Sequence, residues 1–179
     1  MNEGSMSAAS IAVTVVGDDR PGIVAAVTRG LYDAGCNLED VTSTILRGHF
    51  TMVLVVRSPD NDAAALEKTL SPLAEGTDLV ITARPVGPAS LEVPPATHVV
   101  SVYGADKPGI VFRVADVLAR HGANIRDLTS RVVGDEAPVY ALLLEVSITD
   151  VEATTQELAA LHDELDVEVS VHPLEVDVL

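Results

Sequence analysis

The chain repeats itself. At an offset of 87 residues (19 to 106), Asp19, Pro21 and Gly22 fall on Asp106, Pro108 and Gly109. The same offset carries Leu31 onto Leu118, Gly35 onto Gly122, Asn37 onto Asn124, Asp40 onto Asp127, and Thr42-Ser43 onto Thr129-Ser130. The register then shifts by three, because Gly134-Asp135-Glu136-Ala137-Pro138 makes a longer turn than Gly48-His49, and residues 78–85 fall on 166–173 near the end. A match running nearly the length of each half marks a duplicated domain. Whatever one half folds into, the other must fold into as well.

Each half reads as strand, helix, strand, strand, helix, strand. In the first, an apolar run over residues 11–16 predicts a strand. Pro21 suits the first position of a helix, where its missing N–H costs nothing, and Ile23, Val27 and Leu31 recur every four residues as a helical stripe. Gly35 suits a C-terminal cap. Residues 38–47 and 50–57 are β-branched and apolar, and Gly48-His49 between them predicts a hairpin turn. Asp62 supplies an N-cap for a second helix with Leu66, Leu70 and Leu73 inward. Leu79, Ile81 and Ala83 alternate as in a half-buried strand. The second half predicts strands at 98–104, 125–133 and 139–148, a helix from Pro108 carrying Ile110, Val114 and Leu118, a further helix lined by Val151, Leu158, Leu161 and Leu165, and a last strand through Val167, Val169 and Val171. This order is the ferredoxin-like, split βαβ arrangement of the α+β class: a four-stranded antiparallel sheet with both helices on one face. The expected domains are residues 10–85 and 97–179. The linker, 86–96, is stiffened by neighbouring prolines, and residues 1–9 fall outside the fold. The alternating tail from Leu174 can add to a sheet edge.

Composition excludes several function classes. The formal net charge is −16, and both halves are acidic: 6 basic against 12 acidic residues in 1–96, and 5 against 15 in 97–179. Nucleic-acid binding needs cations that displace counterions from phosphate, so no direct nucleic-acid contact is expected. An anionic membrane is disfavoured for the same reason, and no apolar run approaches the roughly 20 residues of a bilayer span. The single cysteine, Cys36, fits a reducing compartment and a cytoplasmic location; its counterpart is Ala123, and a packing role suits it. His49, His98, His121, His162 and His172 lack metal-motif spacing, so neither metal nor cofactor is expected. No nucleophile elbow or Gly-rich phosphate loop is present. Carboxylate pairs such as Asp18-Asp19 and Asp163-Glu164 are ordinary in so acidic a chain.

The stretch Asp19-Arg20-Pro21-Gly22-Ile23, matched by Asp106-Lys107-Pro108-Gly109-Ile110, remains as the candidate site. A strand-to-helix turn presents backbone N–H groups at the positive end of a helix, a seat for a carboxylate or phosphate. Gly22 and Gly109 let a ligand approach the backbone. Asp19 and Asp106 can cap the helix or accept from an ammonium. Asn37 and Asn124, with Asp40 and Asp127, follow the first helix of each half, and a carboxamide both donates and accepts. A free amino acid carries both charges and suits such a site. Pro-Gly at a helix start and Gly-x-Asn at its end are also ordinary turn chemistry, and duplication copies a structural turn as readily as a binding one.

Asp-Arg-Pro-Gly-Ile-Val, followed by Gly-x-Asn-Leu-x-Asp, resembles the ACT domain, a small-molecule-binding regulatory module. Two such domains in a short chain resemble the glycine cleavage system transcriptional repressor family, and the first domain also resembles the ACT portion of formyltetrahydrofolate deformylases. The resemblance spans residues 10–173. It implies a βαββαβ fold, amino-acid sensing (glycine or a serine-like ligand) at the first strand-to-helix turn, sites at domain or subunit interfaces, and action through a protein partner such as a DNA-binding regulator. A homo-oligomer, a dimer in the simplest case, is expected. Lys107 for Arg20, Ile125 for Leu38 and Arg126 for Glu39 make the two sites unequal, with the first favoured. The alternatives are a ligand-free interaction module and an enzyme of deformylase ancestry, the latter opposed by the lack of room for a catalytic domain.

Overall fold

The computed structural model describes residues 10–87, 94–134 and 138–174. Contacts divide the chain into two units, Met1–Leu91 and Glu92–Leu179. Unit 1 runs β1 (Ser10–Asp18), α1 (Ile23–Asp33), β2 (Asn37–Leu46), β3 (His49–Arg57), α2 (Ala63–Leu70) and β4 (Val80–Val86). Unit 2 repeats it with β5 (His98–Gly104), α3 (Ile110–Arg120), β6 (Asn124–Val133), β7 (Val139–Ser147), α4 (Val151–Ala159), α5 (Leu161–Leu165) and β8 (Val167–Pro173). The sheet orders are β2-β3-β1-β4 and β6-β7-β5-β8, antiparallel throughout. Each unit is a ferredoxin-like βαββαβ domain.

Strand alternation decides which face is buried. Ile11, Val13 and Val15 of β1 and Met52, Leu54 and Val56 of β3 point to one side, where they meet Ile23, Val27 and Leu31 of α1 and Leu66 and Leu70 of α2. In unit 2, Val100, Val102, Leu142, Leu144 and Val146 meet Ile110, Val114, Val117, Leu118, Leu158 and Leu161. Each of these side chains contributes about 1.5–3 kcal/mol by leaving water. The helices of each unit therefore lie on one face of its sheet. The helix ends are matched: Cys36 N–H donates to Leu31 O and Gly35 N–H to Tyr32 O, and Ala123 and Gly122 repeat both bonds to Leu118 and Ala119. This is the Schellman arrangement, with Gly35 (φ 71) and Gly122 (φ 66) left-handed, as it requires.

Local turn chemistry corrects several sequence expectations. The first helix of each unit begins at Ile23 and Ile110, two residues after Pro21 and Pro108. Gly22 (φ 94, ψ −6) and Gly109 (φ 97, ψ −8) have the dihedrals of the third residue of a type II turn, in which proline occupies the second. The first hairpin turns on Arg47-Gly48, not Gly48-His49. Leu46 pairs with His49, and both central residues have positive φ (52 and 84), as a type I′ turn demands. Helix α2 tightens into a 3-10 turn, Ser71–Leu73, at Pro72. The last helix is broken in two at Ala160, and Val151 is exposed rather than inward. Its place in the core is taken by Thr154, whose hydroxyl donates to Asp150 O at 2.5 Å. Pro85 pairs opposite Ile11 on edge strand β4, where a missing N–H is tolerated. Leu174 N–H donates to Thr97 O at 2.8 Å, one residue beyond β8. The leader (1–9), the inner part of the linker (88–93), Asp135-Glu136-Ala137 of the second hairpin, and the tail from 175 lie outside the described residues.

Candidate functional site

The turn after β1 is tied down on both sides. Asp19 N–H donates to Gly48 O at 2.8 Å, joining it to the β2–β3 hairpin. Asp18 N–H donates to the carboxylate of Asp78, joining it to the segment that enters β4. The imidazole of His49 lies 3.3 Å from the Asp18 carboxylate. Gly17 permits this closeness, because a Cβ there would meet Leu79 Cδ2 at 2.7 Å and Leu79 Cα at 3.1 Å. Gly104 does the same in unit 2, where a Cβ would fall 2.9 Å from Asp166 O.

On this support the helix begins uncapped. The first intrahelical bond runs from Ala26 N–H to Gly22 O at 2.9 Å, and no side chain caps α1. The capping option for Asp19 is therefore not realised. The N–H groups of Ile23, Val24 and Ala25 precede that bond and have no helical acceptor. Two shallow cavities flank them. One, about 510 Å³, is lined by Asp19, Arg20, Gly22, Ile23, Val24, Ala25, Ile45 and Phe50. The other, about 220 Å³, is lined by Arg20, Pro21, Gly22, Ile23, Ala26, Val27, Leu73 and Leu79. Arg20, Gly22 and Ile23 belong to both. No Cβ placed on Gly22 would meet anything within 4 Å, so the backbone there is open to approach. Among the described residues Arg20 makes no ion pair.

The second turn is built alike but charged differently. Arg113 N–H donates to Gly109 O at 2.9 Å, and α3 also lacks a side-chain cap, so Asp106 does not serve as one. Lys107 Nζ lies 3.4 Å from Asp166 Oδ2.

The remaining candidates sit at the other end of each sheet. Asp18 pairs with His49, whereas Asn37 pairs with Arg57 and Asp40 with Val55. Eight residues of β3 separate the first pairing from the second, about 26 Å at 3.3 Å per residue. Within one unit, Asn37 and Asp40 therefore do not share a pocket with Gly22, and Asn124 and Asp127 relate to Gly109 in the same way. Asp40 Oδ1 accepts from Val41 N–H at 2.8 Å. Asn124 lines a cavity of about 400 Å³ with Thr97, Gly122, Ser147 and Thr149. Asp127 borders a depression of about 640 Å³ on the open sheet face. Sequence reasoning did not assign Asp78, Asp166, Gly17 or Gly104 to the turns. The repeat carried a signal for all four, since they align in pairs beside them.

No described group of three or more His, Cys, Asp or Glu side chains is placed to hold a metal ion. Among the described residues no helix is long and apolar enough to cross a membrane. Burial raises the Cys36 thiol pKa, with a Ser58 hydrogen bond opposing it, so thiolate chemistry is disfavoured there.

Two βαββαβ units, each with an uncapped Pro-Gly turn before its first helix, define a tandem ACT-domain protein. ACT domain models match residues 10–83 and 98–163. The glycine cleavage system transcriptional repressors of Escherichia coli K12 and Shigella flexneri are each 32% identical to the chain over 174 residues, covering 90% of it and 88% of the relative. The chain belongs to that family. The crystal structure of an unknown protein from Galdieria sulphuraria has the same fold, with a TM-score of 0.80 at 23% identity, covering 93% of this chain and 99% of that one.

Proposed function

We propose that this protein is a non-enzymatic sensor of a small amino acid, glycine or serine-like, that acts through a protein partner in transcriptional control of glycine and one-carbon metabolism. The observation that carries the ligand reading is the unpaired guanidinium of Arg20 on both cavities flanking Gly22. An amino-acid carboxylate there accepts from the open amides at the start of α1 and from Arg20, charge-assisted contacts stronger than neutral ones. Asp19 lines the larger cavity and receives the ammonium group. A small side chain suits the shallow site. Lys107 is held by Asp166, so the first turn is the stronger site. Asn37 and Asp40 lie too far along the sheet to complete that site in their own unit.

The relatives' role as transcriptional repressors, together with the acidic surface, supports action through a DNA-binding partner rather than on DNA. A ligand that favours one of two states is sufficient to switch such a contact. Titrating the labelled protein with each of the twenty amino acids while following backbone amide resonances tests the reading. Glycine or serine should shift Ile23, Val24 and Ala25. Unmoved amides at the turn with every amino acid would leave the interaction-module alternative in its place.

A further inference from the structure

The sheet of unit 1 has a second face, turned away from the helices. In its three middle rows the two inner strands carry Ala12, Thr14, Val16, Thr51, Val53 and Val55, with no charge among them, while Asp18 beside His49 closes the face at one end and Arg57, paired with Glu39, at the other. Val16 and Val53 are 39% and 37% exposed although they lie on central strands. The only charges in the rows through these residues lie at the edges. Pairing aligns Asp40 of β2, Val55 of β3, Ala12 of β1 and Arg84 of β4 in one row. An acid thus stands at one edge and a base at the other, three strand spacings apart, about 14 Å.

We propose that this face is the contact surface of a homodimer, with two copies packed sheet to sheet about a two-fold axis along the strands. That operation lays β2 over the partner's β4 and β1 over its β3. It sets Asp40 against the partner's Arg84 and Arg84 against its Asp40, while the Thr/Val rows meet between them. A two-fold contact must be self-complementary, and acid and base at opposite ends of one neutral row meet that condition. Aligned sheets pack at about 30°, which keeps facing rows in register near the axis.

Unit 2 fits the same operation poorly. Its matching row reads Asp127, Glu145, Val99 and His172. Turned on itself, that row lays the Glu145 carboxylate over Val99, and an unpaired buried carboxylate is costly. The unit 1 face measures about 400 Å² per copy, four strands by three rows. That puts it among small, reversible interfaces, so the dimer is concentration-dependent. The inference rests on the sheet alone and is independent of the ligand reading.

Sedimentation equilibrium of the full chain, with Arg84→Asp, Asp40→Arg, the double charge swap and Val53→Glu, tests it. The unsubstituted chain should dimerise reversibly. Each single reversal sets like charges together twice per dimer and should weaken association about 100-fold, and the double swap should recover it to within about tenfold. Val53→Glu should abolish it. A monomer at every concentration, or a dimer indifferent to these changes, overturns the proposal. Should Val53→Glu fail to fold by circular dichroism, recovery in the edge-charge swap still decides the matter.

Discussion

Lys107 Nζ lies 3.4 Å from Asp166 Oδ2, while the matching pair in unit 1, Arg20 and Asp78, is not formed. The same acidic position serves two purposes. Asp78 accepts the backbone N–H of Asp18, whereas Asp166 reaches a side chain. One turn therefore keeps its cation free and the other spends it internally. Arg20→Ala is expected to weaken amino-acid binding by about 1.5–3 kcal/mol, the worth of a hydrogen bond to a charged group. Lys107→Ala should leave the first site unchanged. Equilibrium dialysis with radiolabelled amino acid compares the two.

The turn glycines carry a conformational demand that can be separated from packing. Gly22 sits at φ 94 with nothing within 4 Å of where a Cβ would stand, so Gly22→Ala meets strain without a clash. A cost of about 1–2 kcal/mol follows. Gly104 is the reverse case. Its Cβ would meet Asp166 O at 2.9 Å and Val167 Cα at 3.1 Å, and backbone does not yield as a side chain does. Gly104→Ala should cost about 1–3 kcal/mol. Urea unfolding midpoints measure both.

Helix-to-helix contact differs between the units. In unit 1, Gly30 lets α1 approach Leu70, whose Cδ2 would be 2.9 Å from a Cβ. In unit 2 the aligned residue is Val117, and polar contacts join the helices instead: ion pairs of Arg113 with Glu164 at 2.6 Å and of Arg120 with Glu157, and a hydrogen bond between His121 and Glu157 at 2.6 Å. Hydrogen bonds from His121 and then Arg120 hold Glu157 below the ordinary glutamate value of 4.5, and Arg113 does the same for Glu164. A carboxylate with a lowered folded pKa contributes stability above its unfolded value, lost as pH falls through the folded one. Acid below about pH 4.5 should therefore loosen α3 from α4 and α5, and Glu157→Gln with Glu164→Gln should flatten that part of the stability profile. Chemical unfolding followed across pH 2–7 reads the slope.

The cores make a simpler prediction. Leu54 and Leu144 are fully buried at matching places on β3 and β7. Truncating either to alanine should cost about 2–5 kcal/mol, read from thermal unfolding.

Much of this architecture is legible in the residues. Ile23, Val27 and Leu31 declare a helix, alternation from Ile11 to Val15 declares a strand, and duplication makes each half a check on the other. Local turn chemistry was harder to place. Pro21 suits a helix start as well as the second place of a type II turn, and only the dihedral of Gly22 chooses between them. Arg47 accepts a positive φ that its type does not advertise. Val151 fits the helical stripe, yet it lies in the first turn of α4 and is exposed. The site was legible in part. Asp19 through Ile23 are contiguous and meet in space. Asn37 follows Gly22 by only fifteen residues, but an eleven-residue helix carries the chain across the domain between them. That separation is set by sheet register, which the spacing of the motif does not encode.

Calorimetric titration of the full chain with glycine and serine, alongside Gly22→Val, tests the central claim most directly. Saturable heat from at least one of them, lost in a Gly22→Val protein that still folds, is the expected result. No heat from either amino acid, or the same heat from Gly22→Val, would contradict it.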